Sequence, residues 1–259
     1  MLLRAVDLQF GYTPARLVID GVSLDVPQGA AVGVLGPNGS GKTTLMRLLS
    51  GGLSPERGSV QLDEADLKMF RPTVLARRIA VVPQETSLAF DYTALEIVLM
   101  GRYPHLRAFE VEGPHDLAVA HTALEATGTR HLAERAFRSL SGGEKQRVII
   151  ASALAQTANG GPRTDPPGLL LLDEPTASLD LRYQLEIGAL VTRLRHERGI
   201  TVLLSTHDLH FAASVCTEIL LLASGRVLAR GAPAAILTPA AVGTLYGIDP
   251  AVAAPFIRR

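Results

Sequence analysis

A chain of 259 residues can bury a sizeable core, as one large domain or as a core carrying a subdomain. Its 25 Lys+Arg balance 25 Asp+Glu, which removes the positive footprint of a nucleic-acid binder, and its one cysteine, Cys216, excludes an internal disulfide. Met1 to Phe10 carries Arg4 and Asp7 with no signal-peptide core, and the longest apolar runs, 169–172 and 219–223, are far shorter than the ~20 residues of a membrane span, so the chain is expected in the cytosol or peripheral to a membrane.

Leu2 to Phe10 alternates in part, and Val22, Leu24 and Val26 alternate with Ser23 and Asp25, which predicts short strands in the first 30 residues. Tyr12 lies in a polar stretch, Gly11 to Ala15, read as a turn; its ring is either a stacking platform for a base or an ordinary surface tyrosine. Ala30 to Leu35 reads as a buried strand. Gly36, Pro37, Asn38, Gly39, Ser40, Gly41, Lys42, Thr43 and Thr44 follow, and then Leu45, Leu48 and Leu49 at the spacing of a helix face. Strand, Gly-rich turn and helix in this order make a phosphate cradle, because glycines let backbone N–H groups converge and the helix N-terminus adds about half a positive charge. Lys42 can reach β- and γ-phosphates, and the Thr43 hydroxyl can ligate Mg²⁺.

Gly51-Gly52 stops the first helix, Val60 and Leu62 alternate in a short strand, and 66–78 is a polar helix or loop. Ile79 to Val82 reads as a buried strand ending at Pro83-Gln84, which places Gln84 where ligands bind in parallel sheets. From 86 to 140 the βα rhythm breaks. Thr93 to Met100 and Asp116 to Thr127 look helical, the second with Leu117, His121 and Leu124 on one face, and Gly101 to His105 links them. Ser141 is a candidate N-cap with Glu144 at the third helical position, opening a helix to about Thr157; paired Gly142 and Gly143 also suit a second phosphate-binding terminus. Residues 157–168 form a loop by composition.

Leu169 to Leu172 is a fully apolar strand ending in Asp173 and Glu174. Alternation along the strand would give the two carboxylates different jobs, one supporting Mg²⁺ and the other orienting or deprotonating water for attack on a γ-phosphate. After Ser178-Leu179-Asp180, a helix presents Ile187, Leu190, Val191 and Leu194 and stops at Gly199. Ile200 to Leu204 is the next buried strand, with His207 at its carboxyl end. Glu218 to Ala223 and Arg226 to Ala229 form a hairpin about Ser224-Gly225, Pro233 begins a short helix, and the chain beyond Leu245 gives little signal.

Gly36 to Thr44, Gln84, Leu140 to Gln146, Leu171 to Pro175, Ser178 to Asp180 and His207 resemble, in order and spacing, the nucleotide-binding subunits of ABC transporters. The resemblance covers nearly the whole chain. It implies an α/β fold: a P-loop NTPase (RecA-like) core with an N-terminal antiparallel β subdomain, the two together spanning about 1–85 and 160–245, an inserted helical subdomain (about 86–158) and a tail, 246–259. It also implies the roles. Tyr12 would stack on adenine; Gly36 to Thr44 would hold the phosphates; Thr43, Gln84 and Asp173 would serve Mg²⁺. Glu174 would polarise the attacking water, with His207, Gln84 and Lys42 completing catalysis. Ser141, Gly142, Gly143 and Asp180 would act on the ATP of a second copy in a head-to-tail homodimer. The partners implied are polytopic membrane permease subunits and, indirectly, a periplasmic or extracellular binding protein, with no nucleic acid; the place is the cytoplasmic face of the inner membrane. Ile97 to His105 and Leu8 to Tyr12 are similar to importers of haem, ferric siderophores or cobalamin, with Leu88 to Thr93 and the 157–168 loop leaning to haem. A soluble ABC ATPase and an exporter subunit are the alternatives. Gly11, where many relatives carry a polar residue, would loosen the Tyr12 loop.

Overall fold

The computed structural model describes residues 1–86, 90–158 and 168–257. The chain opens with β1 (Leu3–Thr13) and β2 (Arg16–Val26), an antiparallel hairpin in register Leu3↔Val26, Ala5↔Leu24 and Leu8↔Val22. β3 (Ala31–Leu35), buried throughout, runs through the Gly-rich loop into α1 (Lys42–Leu49), whose Leu45, Leu48 and Leu49 are buried as their spacing requires. β4 (Arg57–Leu62) and β5 (Ala65–Asp66) complete an antiparallel sheet of order β2-β1-β4-β5. Next come α2 (Pro72–Ala76) and β6 (Ile79–Val82), then the helices α3 (Ala94–Met100), α4 (Pro114–Ala126) and α5 (Gly142–Thr157). β7 (Leu169–Asp173), α6 (Leu181–Arg198), β8 (Thr201–Thr206), α7 (Leu209–Val215), β9 (Glu218–Ala223), β10 (Arg226–Gly231), α8 (Pro233–Ile236), α9 (Pro239–Tyr246) and α10 (Pro250–Ile257) follow.

The chain divides into two compact units, 1–69 with the chain from 201 onward, and 70–200. In the first, β3 lies parallel between β8 and β9, with Leu35 opposite Thr206 on one side and Leu221 on the other, and β10 closes this side antiparallel to β9. Such doubly flanked strands read as continuous apolar runs because both faces are covered. The β9–β10 turn has Ser224 at φ 47° and Gly225 at φ 76°, the mirror-image geometry that matches strand twist. A Cβ on Gly225 would lie 2.2 Å from the Val18 carbonyl oxygen, so only glycine lets this turn abut β2. Asp20 then accepts from the Arg226 Nε at 2.9 Å, tying β10 to β2. Cys216 is buried against Gly33 as a small core residue. Among the described residues no single helix is long and apolar enough to cross a membrane; α9 and α10 are jointly apolar, and their axes bend by 119°.

In the second unit β6 and β7 pair in parallel, Ile79↔Leu169 to Val82↔Leu172, and α3 and α4 pack on α5. A Cβ on Gly101 would sit 2.3 Å from the Ser152 carbonyl oxygen, so α3 ends backbone to backbone on α5. Arg102, only 2% exposed, bonds Asp116 through Nε (3.0 Å) and the carbonyls of Ala155 (2.7 Å) and Ala158 (2.5 Å) through Nη1. His105 Nε2 lies 2.8 Å from the Gln156 carbonyl oxygen, and the Gln156 amide donates to the Ala76 and Ile79 carbonyls. The 101–105 link is therefore a clamp on the carbonyl end of α5, where cations are favoured by the helix dipole.

Four expectations change. Tyr12 lies in β1, not in a turn, because the strand pairs down to Thr13↔Arg16. Gly11 tightens that end of the hairpin: a Cβ there would meet the Arg16 carbonyl oxygen at 2.5 Å. β6 is not wholly buried, since Val81 is 44% exposed. The buried face of α4 is Asp116, Ala120, Ala123 and Leu124, while Leu117 is exposed, because small alanines set the close approach to α5 and Asp116 turns inward to pair with Arg102.

Candidate functional site

The first unit presents the phosphate loop. Gly36 needs no side chain: a Cβ there would fall 2.2 Å from the Leu222 carbonyl oxygen and 2.7 Å from Ser40 Oγ. Gly41, at φ 104°, would drive a Cβ to 2.9 Å from the Val18 carbonyl oxygen and Ile19 Cδ1. Gly225 donates its N–H to the Ser40 carbonyl at 2.9 Å. The loop is thus backed by β2 and by the β9–β10 hairpin, contacts that no local sequence pattern announces. Lys42 is buried and curls over the loop, its Nζ 2.9 Å from the Gly36 and 3.2 Å from the Pro37 carbonyl oxygen. Ser40 Oγ is buried with no hydrogen-bond partner among the described residues, and Asn38, Gly39 and Thr43 are exposed. A cradle that a Cβ would fill, a lysine poised over it and an orphaned hydroxyl at its wall fit a polyphosphate.

Two flanking groups belong to the same unit. Tyr12 is 57% exposed, its ring edge-on to Phe10 at 5.1 Å, its hydroxyl 3.3 Å from Thr44 Oγ1. The ring is fixed near the α1 start with its apolar surface open, which suits stacking on a base. His207 is exposed directly after β8, the strand beside β3, where Gly36 N–H meets the Thr206 carbonyl at 3.4 Å. The Tyr246 hydroxyl donates to the His207 carbonyl at 3.0 Å, and Asp208 caps α7 through the N–H groups of His210 and Phe211, so the backbone on both sides of His207 is held. Tyr246, from the stretch with little sequence signal, is a positioning residue the sequence did not announce.

The second unit carries the other motif residues. Ser141 caps α5, accepting from Glu144 N–H at 3.3 Å while Glu144 Oε2 accepts from Ser141 N–H at 2.8 Å. That N–H bond to Ser141 outweighs burial and holds the Glu144 carboxyl below its ordinary range. A Cβ on Gly143 would sit 2.1 Å from Tyr183 Cδ1, so glycine is needed at that position for close packing on α6. Asp180 caps α6, accepting from Tyr183 N–H at 3.1 Å. The structure thereby brings Ser141 to Gly143 beside the turn that carries Asp180.

Asp173 is the last, buried residue of β7, and Glu174 follows at φ 46°. The expected strand alternation does not separate the two carboxylates. A left-handed residue, at a backbone cost on the order of 1 kcal/mol, re-aims Glu174 instead. Gln84 is exposed just past β6, the strand paired with β7, so Gln84, Asp173 and Glu174 share one carboxyl edge. Among the described residues no three His, Cys, Asp or Glu side chains cluster as a metal cage. Thr43 in the first unit, and Gln84 and Asp173 in the second, each carry a hard oxygen donor of the kind that Mg²⁺ takes.

A family model described as ABC transporter matches residues 19–177. The chain belongs to the ABC transporter family. As a family member it binds and hydrolyses ATP. Among the curated proteins, the hemin import ATP-binding protein HmuV of Bordetella pertussis is 43% identical over 96% of this chain and 93% of its own. The cobalamin import ATP-binding protein BtuD of Halobacterium salinarum is 40% identical over 92% of this chain and 58% of its own. Among solved structures, a metal-chelate type ABC transporter in an inward-facing conformation matches with TM-score 0.81 and 33% identity over 95% of this chain and 88% of that one. A bacterial ABC transporter cassette solved as a dimer matches with TM-score 0.75 and 27% identity over 90% of this chain and 99% of that one. The 88–89 and 159–167 parts of the haem-leaning stretches lie outside the described residues.

Proposed function

We propose that this chain is the ATP-hydrolysing subunit of an importer of metal chelates, with haem as the preferred cargo over ferric siderophore or cobalamin. The observation that carries the ATPase reading is the phosphate loop, with no room for a Cβ at Gly36 or Gly41 and Lys42 curled over it. Near full-length likeness to a hemin import protein supports the cargo class. Tyr12 stacks on the base. Loop N–H groups and Lys42 bind the phosphates; the lysine exchanges its two carbonyl partners for phosphate oxygens. Thr43, Gln84 and Asp173 would hold Mg²⁺, which would supply charge neutralisation at the phosphate oxygens. Glu174 orients water and accepts its proton, and His207 contacts the γ-phosphate. Ser141, Gly142, Gly143 and Asp180 act on the ATP of a second copy. The chain sits on the cytoplasmic face of the inner membrane, attached to permease subunits that a binding protein feeds.

Glu174→Gln keeps the shape and removes the base. ATP hydrolysis should fall by about 10²- to 10⁴-fold while the Kd for ATP changes less than twofold. Full turnover in the variant would refute the role of Glu174. Pull-down of the tagged chain from gently solubilised membranes of its own cells should bring a polytopic permease. Recovery of ribosomal or DNA-repair proteins instead would replace the importer reading by a soluble ATPase.

A further inference from the structure

A cavity of about 540 Å³ lies in the second unit, walled by the first turns of α5, by α6 and by the turn that follows α4. Its size is that of a small-ligand site. The ATPase roles above use none of its arginines. Its three arginines, Arg147, Arg182 and Arg193, share the lining with two carboxylates, Glu144 and Glu186, and with His131. Three positive charges against two negative ones leave the cavity one positive charge in excess before His131 is counted. Both carboxylates are committed, Glu144 to the Ser141 N–H and Glu186 to Arg147 and Arg182. A cation would therefore find no carboxylate to itself. Arg147 Nε is buried with no hydrogen-bond partner among the described residues, a donor lacking an acceptor. Among the described residues Arg193 bonds one carbonyl, that of Ala126 at 2.8 Å, through one of its two terminal nitrogens.

We propose that this cavity binds a small organic phosphate. Arg147, Arg193 and His131 hold its oxyanion, and its body lies against Tyr183 and Leu190. Guanidinium forks arriving from two helices, with an imidazole from a third segment, suit a tetrahedral group with several acceptor oxygens better than a planar carboxylate. The free volume exceeds what a bare phosphate fills, and the Tyr183 ring and Leu190 supply an apolar wall. The site adjoins the catalytic machinery without belonging to it, since Tyr183 packs on Gly143 and Glu144 closes the cap at Ser141.

The test is titration calorimetry on the full chain with saturating MgADP, which fills the phosphate loop, using phenyl phosphate, benzoate and inorganic phosphate as probes. Phenyl phosphate should bind at one site, more tightly than either other probe, and its affinity should fall about tenfold in Arg193→Gln and in His131→Asn. ADP affinity should stay unchanged in both variants, which also reports that they fold. The proposal is overturned if phenyl phosphate gives no binding in the ADP-loaded protein, if benzoate binds as well, or if both variants bind like the parent. Normal ADP binding alongside any of these results would leave the ATPase reading standing and remove only this site.

Discussion

Glycines near the nucleotide motifs act by the space they leave. Gly143 is the sharpest case, because the Tyr183 ring occupies the place of its Cβ at 2.1 Å. Gly143→Ala should destabilise the protein by about 1–3 kcal/mol as α5 and α6 part, and turnover should drop with it. Removing the ring in Gly143→Ala/Tyr183→Ala should recover part of that stability, although Tyr183→Ala alone costs some packing. Thermal denaturation of the two single variants and the double variant measures this. Strictly additive losses would mean that Gly143 matters for some reason other than the ring. The same geometry explains what was legible at this scale. Gly36, Gly41 and Lys42 declare themselves by pattern, since a phosphate cradle needs those residue types at that spacing. The neighbours that make glycine obligatory there, the carbonyls of Val18 and Leu222, are backbone atoms distant in sequence and leave no mark in it. Glu174 was legible as an acid but not as a left-handed residue, because nothing in Leu-Asp-Glu-Pro encodes φ 46°.

At the scale of elements, apolar runs and 3.6-residue periods located β3, β7, β8 and α6, where the whole pattern is set by burial. The helix α4 and its buried Leu124 were legible, but the rest of its inner face was not, because that face is alanines and a paired aspartate, residues with little periodic signal. The pair that turns α4 is also what clamps α5. Burial alone would raise the Asp116 carboxyl, but the bond and charge of Arg102 and the Gly113 N–H outweigh it and hold it below its ordinary range. Arg102→Leu leaves that carboxylate buried and unpaired, so it should cost about 3–5 kcal/mol, against far less for Arg102→Leu/Asp116→Leu. His105, in the same clamp, is pushed down chiefly by burial; the Gln156 carbonyl raises it, Arg102 and Arg77 lower it further, and Asp116 opposes them. A histidine lowered in the fold binds fewer protons than in the unfolded chain, so stability is present above about pH 6.5 and is lost as pH falls below it. The melting temperature should decline between pH 7 and 5.5, a range above the carboxylate titrations, and the decline should flatten in His105→Gln. Parallel pH curves for the two proteins would contradict the assignment to His105.

The whole molecule is electrically neutral, with 25 charges of each sign, so no net repulsion opposes the pairing of two copies. Pairing must then be decided by what each copy exposes. Gly142 is exposed at the N-terminus of the 16-residue α5, where the helix dipole attracts an anion and where Ser141 and Glu144 already satisfy each other's N–H groups. On the reading proposed above, the ATP bound to a second copy supplies the anion that such a terminus attracts. Association should therefore follow the γ-phosphate. Glu174→Gln, which binds ATP without cleaving it, should elute as a dimer in MgATP and as a monomer in MgADP. Adding Gly142→Glu places a negative charge at that terminus, and its Cβ meets only the flexible end of Leu179 at 3.1 Å, so the fold should survive. Glu174→Gln/Gly142→Glu should still bind ATP with unchanged affinity and elute as a monomer throughout. A dimer persisting in that variant would show that the copies meet through some surface other than the start of α5.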